Sequence, residues 1–131
     1  MRHVLLSLVA LVLAATVAQA DSLNCRLVGS WPFGYSYAVA VDSARNLAFI
    51  GSGGGVYVLD ISNPAAPVKL SEAIRPGGTV HGLCYDSSKL YVAAEAGGLE
   101  IWDVSVPASP ALLGRLADPG RAHGVAVAGS F

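Results

Sequence analysis

One segment occurs twice in this chain, and the repeat constrains the fold more than any other feature. Residues 54–67 read Gly-Gly-Val-Tyr-Val-Leu-Asp-Ile-Ser-Asn-Pro-Ala-Ala-Pro, and residues 97–110 read Gly-Gly-Leu-Glu-Ile-Trp-Asp-Val-Ser-Val-Pro-Ala-Ser-Pro. The glycine pairs, serines and shared prolines keep a spacing of 43 positions, the difference between Asp60 and Asp103. A period of this length is typical of repeat proteins, and a β-propeller blade is the first candidate.

The pattern around the repeated segment is one of short strands and turns, and it contains no amphipathic helix after the N-terminal region. The predicted strands of the first unit are residues 37–41, 47–50, 56–61 and 67–71, and those of the second are residues 82–85, 90–94, 99–104 and 110–116. A third unit begins at residues 123–127. Asp42 matches Asp86 and Leu47 matches Leu90, which predicts a one-residue deletion in the first turn of the second unit.

The composition of the strands favours propeller blades over a β-sandwich. Residues 39–41 and 91–93 are apolar at successive positions, so both faces of each sheet are expected to be buried, whereas a sandwich shows cleaner alternation. The predicted fold is therefore all-β, with four-stranded propeller-type blades at residues 37–79 and 80–121 and the start of a third at residues 122–131.

A closed propeller usually contains about four to eight blades. Two complete repeats and the start of a third predict a truncated propeller, because a blade cannot bury both faces alone. Further repeats of the same chain, or other copies of it, are needed to close the ring.

The segments at residues 56–64 and 99–105 resemble the LVIVD-repeat family, whose hallmark is Gly-Gly-hydrophobic-x-hydrophobic-x-Asp-Val-Ser-x-Pro after an alanine-rich strand. The resemblance extends over about residues 37–131. It implies a β-propeller exported to the periplasm or cell surface, mostly in bacteria. It implies no common enzymatic activity and no defined catalytic residues. The chain departs from the family pattern by stopping within its third unit.

The N-terminus has the pattern of a secretory signal peptide at residues 1–20. Positively charged Arg2 precedes an apolar run at residues 4–18, and Ala18-Gln19-Ala20 forms a small-x-small cleavage site. An uncleaved anchor is the alternative, but the run is shorter than the roughly 20 residues of a membrane span. We expect a secreted, periplasmic or cell-surface protein with no membrane span after cleavage. Residues 21–36 are predicted as a leader with one outer strand at residues 27–31.

Charge excludes some partner classes. The formal net charge is −1, and 13% of the residues are charged while 53% are hydrophobic. The chain therefore has no basic footprint for nucleic acid, and its composition is not that of a disordered protein.

Tyr37, His81 and His123 occupy matching positions at the start of the first strand of each unit. We predict that they lie at one mouth of the central channel and contact a ligand; the alternative is that they cap strands against their neighbours. No catalytic, cofactor-binding or metal-binding residues are predicted. Cys25 and Cys84 are the only cysteines, and a disulfide between them is disfavoured because the predicted strands place them too far apart.

The predicted function is a non-catalytic exported scaffold that binds an unknown protein or glycan. The alternative is the N-terminal part of a propeller enzyme, similar to a lactonase or a quinone-cofactor dehydrogenase, with its site in blades beyond this chain. An enzyme is expected to place unequal polar residues at the strand mouths, whereas a scaffold keeps those positions repetitive.

Overall fold

The computed structural model describes residues 26–29, 35–117 and 120–129. Within these residues the fold is all-β, with eight strands and no helix. The strands are β1 (Ser36–Asp42), β2 (Leu47–Ser52), β3 (Gly55–Asp60), β4 (Val68–Ile74), β5 (Gly82–Asp86), β6 (Lys89–Ala93), β7 (Leu99–Asp103) and β8 (Ala111–Leu116). The eight strands predicted for the two complete units are confirmed, with ends that shift by at most three residues.

Each repeat forms one four-stranded antiparallel sheet. The strand order is β1-β2-β3-β4 in the first sheet and β5-β6-β7-β8 in the second, so every strand pairs with its neighbours in sequence. Hairpin connections of this kind need only short turns, which the glycine, proline, aspartate and serine residues between the strands provide.

The repeated Asp-x-Ser segment closes the turn after β3 and after β7. The Asp60 carboxylate accepts hydrogen bonds from the Ser62 backbone N–H at 2.8 Å and from the Ser62 hydroxyl at 2.5 Å. The Asp103 carboxylate accepts a bond from the Ser105 N–H at 2.8 Å. Hydrogen bonds from these serines lower the pKa of both aspartates. The segment therefore recurs because both sheets need the same turn.

The two sheets pack against each other around a shared core. The buried apolar side chains of this core come from both sheets and from the linker between them: Leu47, Phe49, Val56, Val58, Ile74, Val80, Leu90, Val92, Ala94 and Val104. The rings of Phe49 and Tyr85 stack across the junction with centroids 5.5 Å apart. Full burial of a side chain of this size contributes roughly 1.5–3 kcal/mol.

The sheets meet through opposite faces. Phe49 lies on one face of the first sheet and Val41 on the other, because Phe49 pairs with Ala40, the neighbour of Val41 in β1. Tyr85 holds the next-to-last position of β5, as Val41 does in β1, yet Tyr85 faces the first sheet and stacks on Phe49. The stacking is therefore head-to-tail: the Phe49 face of one sheet packs against the Val41-type face of the next.

The strand pairing shows that the predicted match of Leu47 in β2 with Leu90 in β6 is wrong by one residue. Across three strands, the first sheet pairs Asp42, Leu47 and Asp60, and the second pairs Asp86, Lys89 and Asp103. Lys89, rather than Leu90, therefore takes the place of Leu47. The β1–β2 turn has four residues (43–46) and the β5–β6 turn has two (87–88), so the second unit lacks two residues here. It recovers one residue in the longer turn between β6 and β7.

Arg45, in the β1–β2 turn, links the two sheets. Its Nη1 donates to the carbonyl oxygens of Val104 at 3.1 Å and Ser105 at 3.0 Å, just after β7. Its Nε donates to the buried Asp42 carboxylate at 2.5 Å, and its Nη2 lies 3.3 Å from the Tyr85 hydroxyl oxygen. A hydrogen bond from Arg45, and to a smaller extent one from Tyr85, lowers the pKa of Asp42.

Glu100 is a fully buried carboxylate in β7, next to Val92 of the shared core. It accepts hydrogen bonds from Arg115 Nε at 2.7 Å and from Trp102 Nε1 at 2.8 Å, and it also contacts Arg115 Nη2. A buried charge is tolerated when it is paired and hydrogen-bonded in this way.

The expectation that both faces of each sheet are buried holds only in part. Val39 and Val41 project from the face of β1 that points away from the second sheet, and they are 64% and 51% exposed. In the second sheet, Val92 and Ala93 are buried and Tyr91 is half-buried. On the same face of the first sheet as Val41, Ala48 and Leu59 pair in register with Val41 and are only 7% and 1% exposed, so this face of the first sheet is covered in part.

Two predicted strands are not formed where the structure describes them. Residues 27–29 of the predicted outer strand have no strand conformation, and a methyl group on Gly29 would lie 2.1 Å from the carbonyl oxygen of Pro64. The predicted third-unit strand at residues 123–127 is also absent, because the segment 120–129 pairs only through a single bridge between Glu95 and Ala122. A ladder needs a partner along its length.

The predicted signal peptide and two parts of the leader, residues 21–25 (which include Cys25) and 30–34, lie outside the described residues. Cys84 lies on β5 and is half-buried. Among the residues that the structure describes, no helix has the length and apolarity to span a membrane.

Candidate functional site

The three residues singled out from the sequence lie next to one another in the structure, with His81 in contact with the other two rings. The ring centroids of Tyr37 and His81 are 5.3 Å apart, and those of His81 and His123 are 4.9 Å apart. We call these three side chains the aromatic row. Tyr37 lies in β1 at an irregularity in its pairing with β2, His81 directly precedes β5, and His123 lies in the segment 120–129. The repeat thus brings matching positions together.

Small residues allow the backbones beneath the row to approach closely. A methyl group on Gly82 would lie 2.9 Å from the Cα of Gly124, which leaves no room for a side chain. A methyl group on Gly51 would lie 2.6 Å from Cγ1 of Val80, in the linker between the sheets. Glycine at these positions lets each unit start close to the preceding one, and this proximity sets the spacing of the rings.

Glu95 and Arg121 extend the site beyond the residues that the sequence predicted. Glu95 Oε2 lies 3.8 Å from His81 Nε2, and Glu95 Oε1 lies 3.1 Å from Arg121 Nη1. The backbone of Glu95 also exchanges two hydrogen bonds with Ala122, at 2.9 and 3.1 Å. Glu95 therefore contacts the row with its side chain and holds the segment 120–129 in place with its backbone.

The sequence contained one signal for Glu95. By strand pairing and hydrogen bonding, its position in the β6–β7 turn corresponds to Gly53 in the β2–β3 turn: the Gly53 carbonyl accepts from Val80 N–H as the Glu95 carbonyl accepts from Ala122 N–H. A charged residue in a turn where the other repeat has glycine marks a difference between otherwise similar units. Arg121 offered no such signal.

The row is open to solvent on one side. Tyr37 as a residue is 58% exposed, and the side chains of His81 and Glu95 are 27% and 26% exposed. A groove of about 260 Å³ runs beside Tyr37 along the exposed face of β1 and is lined by Ser36, Tyr37, Ala38, Val39 and Ile50. The site therefore combines an accessible aromatic surface with partly covered polar groups.

The side chains of the aromatic row and Glu95 can make contacts to a ligand. The phenol and imidazole rings offer flat faces together with hydrogen-bonding edges, and the Glu95 carboxylate adds acceptor oxygens. In the part of the chain that the structure describes, no group of three or more histidine, cysteine, aspartate or glutamate side chains is arranged to hold a metal ion. The role of Tyr37, His81 and His123 as ligand contacts stays a prediction.

Comparison with known proteins agrees with the repeat. No curated protein and no solved structure that was compared matches the chain. The family model for the LVIVD repeat matches residues 34–72 and 90–118, which together span more than half of the chain and include strands from both sheets. The chain therefore belongs to the LVIVD-repeat family.

Proposed function

We propose that this protein is a non-catalytic, exported binding module that contacts a protein or a glycan through the aromatic row. The observation that carries the proposal is the alignment of Tyr37, His81 and His123, whose rings follow one another at 5.3 and 4.9 Å. Repetition of ring-bearing residues at matching places favours a surface that recognises an extended ligand over a site for one reaction.

The two sheets are, in this proposal, propeller-type blades. Head-to-tail stacking supports it, because each sheet offers one face to the preceding neighbour and the other to the following one. The exposed Val39 and Val41 are 64% and 51% accessible, and they lie on the face that the second sheet buries in its own junction. Further sheets of the same type, from the same chain or from other copies, complete the ring.

The ligand experiment compares full-length wild type with a Tyr37→Ala/His81→Ala variant. A displayed peptide library and an array of purified glycans serve as the two sets of probes. We expect a ligand from one set to bind the wild type and to lose most of its affinity for the variant. Val106→Ala is the control, because Val106 is 58% exposed and lies in the turn after β7, outside the aromatic row. A ligand that is equally affected by both changes, or by neither, contradicts the proposal.

Export is supported by the charged, apolar and small-residue order of residues 1–20. Residues 1–25 fused to a β-lactamase that lacks its own signal are expected to confer ampicillin resistance on a bacterial host. The same fusion without residues 4–18 is the control and is expected to confer none. Equal resistance from both fusions, or none from either, contradicts export.

A further inference from the structure

Glu95 adopts a backbone conformation that a glutamate rarely adopts. Its φ is +40°, in the left-handed region, and the corresponding Gly53 has a φ of +55°. A side chain makes this conformation unfavourable for L-residues, whereas glycine adopts it freely. The second repeat therefore keeps a strained residue at a position where the first repeat has an unstrained one. Strain of this kind persists where it serves a function or where the surroundings enforce it.

The side chain of Glu95 indicates what the strain achieves. Its Oε1 atom lies 3.1 Å from Arg121, and its Oε2 atom lies 3.8 Å from His81 Nε2. A separation of 3.8 Å is too long for a hydrogen bond, so Oε2 can still accept one from a ligand. A glycine here would keep the turn and lose the carboxylate beside the row.

The charges around the row suit a neutral ligand. Arg121 compensates the charge of Glu95, so the site has no excess of either sign to attract a polyanion or a polycation. Tyr37 is 58% exposed, and its ring has an apolar face with a polar edge. A sugar ring matches this arrangement, because it has an apolar C–H face and hydroxyl groups that donate to a carboxylate and accept from an imidazole N–H.

We propose that Glu95 is a ligand-contacting, specificity-determining residue of the aromatic row, and that the ligand is a neutral glycan. This inference rests on the binding function proposed above and narrows it to one ligand class. The Tyr37 ring stacks on the sugar, and Glu95 Oε2 accepts a hydrogen bond from a sugar hydroxyl.

The test is affinity electrophoresis of the full-length protein in gels that contain dextran, mannan or xylan as neutral probes, or alginate as an anionic probe. We expect at least one neutral polysaccharide to retard the wild type and alginate to leave it unaffected. Glu95→Gly and Tyr37→Ala are each expected to weaken the retardation about tenfold, the effect of losing one hydrogen bond to a charged group or one aromatic contact. Glu95→Gln keeps an acceptor oxygen and is expected to lose less.

A thermal unfolding measurement separates ligand contact from a structural role. Glu95→Gly relieves the left-handed strain, so its midpoint is expected to stay level or to rise by up to about 4 °C. Ser88→Gly is the matched control: Ser88 has a φ of +64°, and it follows β5 at the end opposite to His81. This control is expected to raise the midpoint without changing the retardation.

The inference is overturned if no neutral polysaccharide retards the protein, if only alginate does, if Glu95→Gly binds like the wild type, or if Glu95→Gly lowers the midpoint. The experiments give a different set of results if the proposed binding function itself is wrong. If a selected peptide still depends on Tyr37 and His81 while no polysaccharide binds, only the glycan inference fails. If no probe of either kind depends on the row, the proposed function fails with it.

Discussion

The two sheets have the same strand order and the same Asp-x-Ser turn, but their charged side chains make different contacts. The first sheet reaches its neighbour through Arg45, which extends from a four-residue turn. In the second sheet this turn has two residues and no arginine. The second sheet instead contains an ion pair between the buried Glu100 and Arg115. At the place of Glu100 the first sheet has Tyr57, whose ring lies 5.8 Å from the Lys69 ammonium.

This difference separates two kinds of sequence requirement. What a sheet needs to fold, namely apolar strands and turn residues at fixed places, is repeated in both units. Two residues whose side chains join a sheet to the next sheet or to the segment 120–129 occur once, namely Arg45 and Glu95. Non-repeated residues in a repeat protein therefore direct attention to interfaces and sites.

The largest effect is expected for Arg115→Ala. The change leaves the fully buried Glu100 without its cation, and a buried charge that loses its partner costs about 3 kcal/mol. Lys69→Ala is the matched control, because it removes the Lys69–Glu72 pair from β4, where both side chains are exposed. Urea unfolding is expected to show a large loss for Arg115→Ala and no measurable change for the control. Equal losses would mean that the two sheets do not differ in this respect.

Arg45→Ala is expected to lower the free energy of unfolding by about 2 kcal/mol, because it removes the guanidinium donor of the Asp42 carboxylate and of two carbonyl groups. Asp42 keeps its hydrogen bonds from the backbone N–H groups of residues 44 and 45. The loss also depends on pH. Hydrogen bonds from Arg45 and Tyr85 lower the pKa of Asp42 in the folded state, so this contribution is present above the unfolded pKa of about 4 and is lost as the pH falls through the folded pKa.

Denaturant titrations at about pH 2 to about pH 7 measure this pH dependence, because this range spans the ordinary carboxyl pKa of about 4. The difference in stability between wild type and Arg45→Ala is expected to shrink as the solution is acidified. A difference that stays constant over the whole range would show that Asp42 is not the group on which Arg45 acts.

The close contact between Gly51 and Val80, beneath the aromatic row, has a counterpart in the second repeat, so one repeat can be given the residues of the other. A methyl group on Gly51 would lie 2.6 Å from Val80 Cγ1, so Gly51→Ala is expected to cost about 1–2 kcal/mol through overpacking. The corresponding residues of the second repeat are Ala93, by strand pairing, and Ala122, by its backbone hydrogen bond to Glu95. The double variant Gly51→Ala/Val80→Ala therefore copies the second junction and is expected to cost less than the sum of its single changes. Strict additivity in a double-mutant cycle would contradict this.

The smallest effect is expected for substitutions in the β1–β2 and β5–β6 turns. Ser88 has a φ of +64°, and Ser88→Gly is expected to stabilise the protein by about 0.5–1 kcal/mol because glycine adopts this conformation freely. Asn46 has a φ of +54° in the first turn, but asparagine tolerates the left-handed region, so Asn46→Gly is expected to change little. Thermal midpoints measure both, and a larger gain at Asn46 would reverse the comparison.

Much of the fold was predictable because its signals are local. Turn residues and apolar runs are close in sequence, and the strands of both complete units were predicted to within three residues. The alignment of Tyr37, His81 and His123 was predictable as well, because equal places in consecutive repeats lie next to each other when the repeats stack.

Other features depend on contacts that the sequence does not encode locally. The register of β6 depends on two turn lengths that change in opposite directions, so Leu90 was wrongly matched to Leu47. The contacts of Arg45 with Val104 and Ser105 join residues about 60 positions apart. The strand predicted at residues 123–127 has the right composition, but strand formation also needs a partner.

Head-to-tail stacking gives the molecule a direction. At the one junction that the structure describes, the Phe49 face of the first sheet meets the opposite kind of face of the second, which carries Tyr85. A gene duplication that copies one repeat therefore inserts a sheet whose two faces already fit those on either side. The number of repeats can change in this way without a new interface, while a residue such as Glu95, at a place where the first repeat has Gly53, distinguishes one repeat from the other.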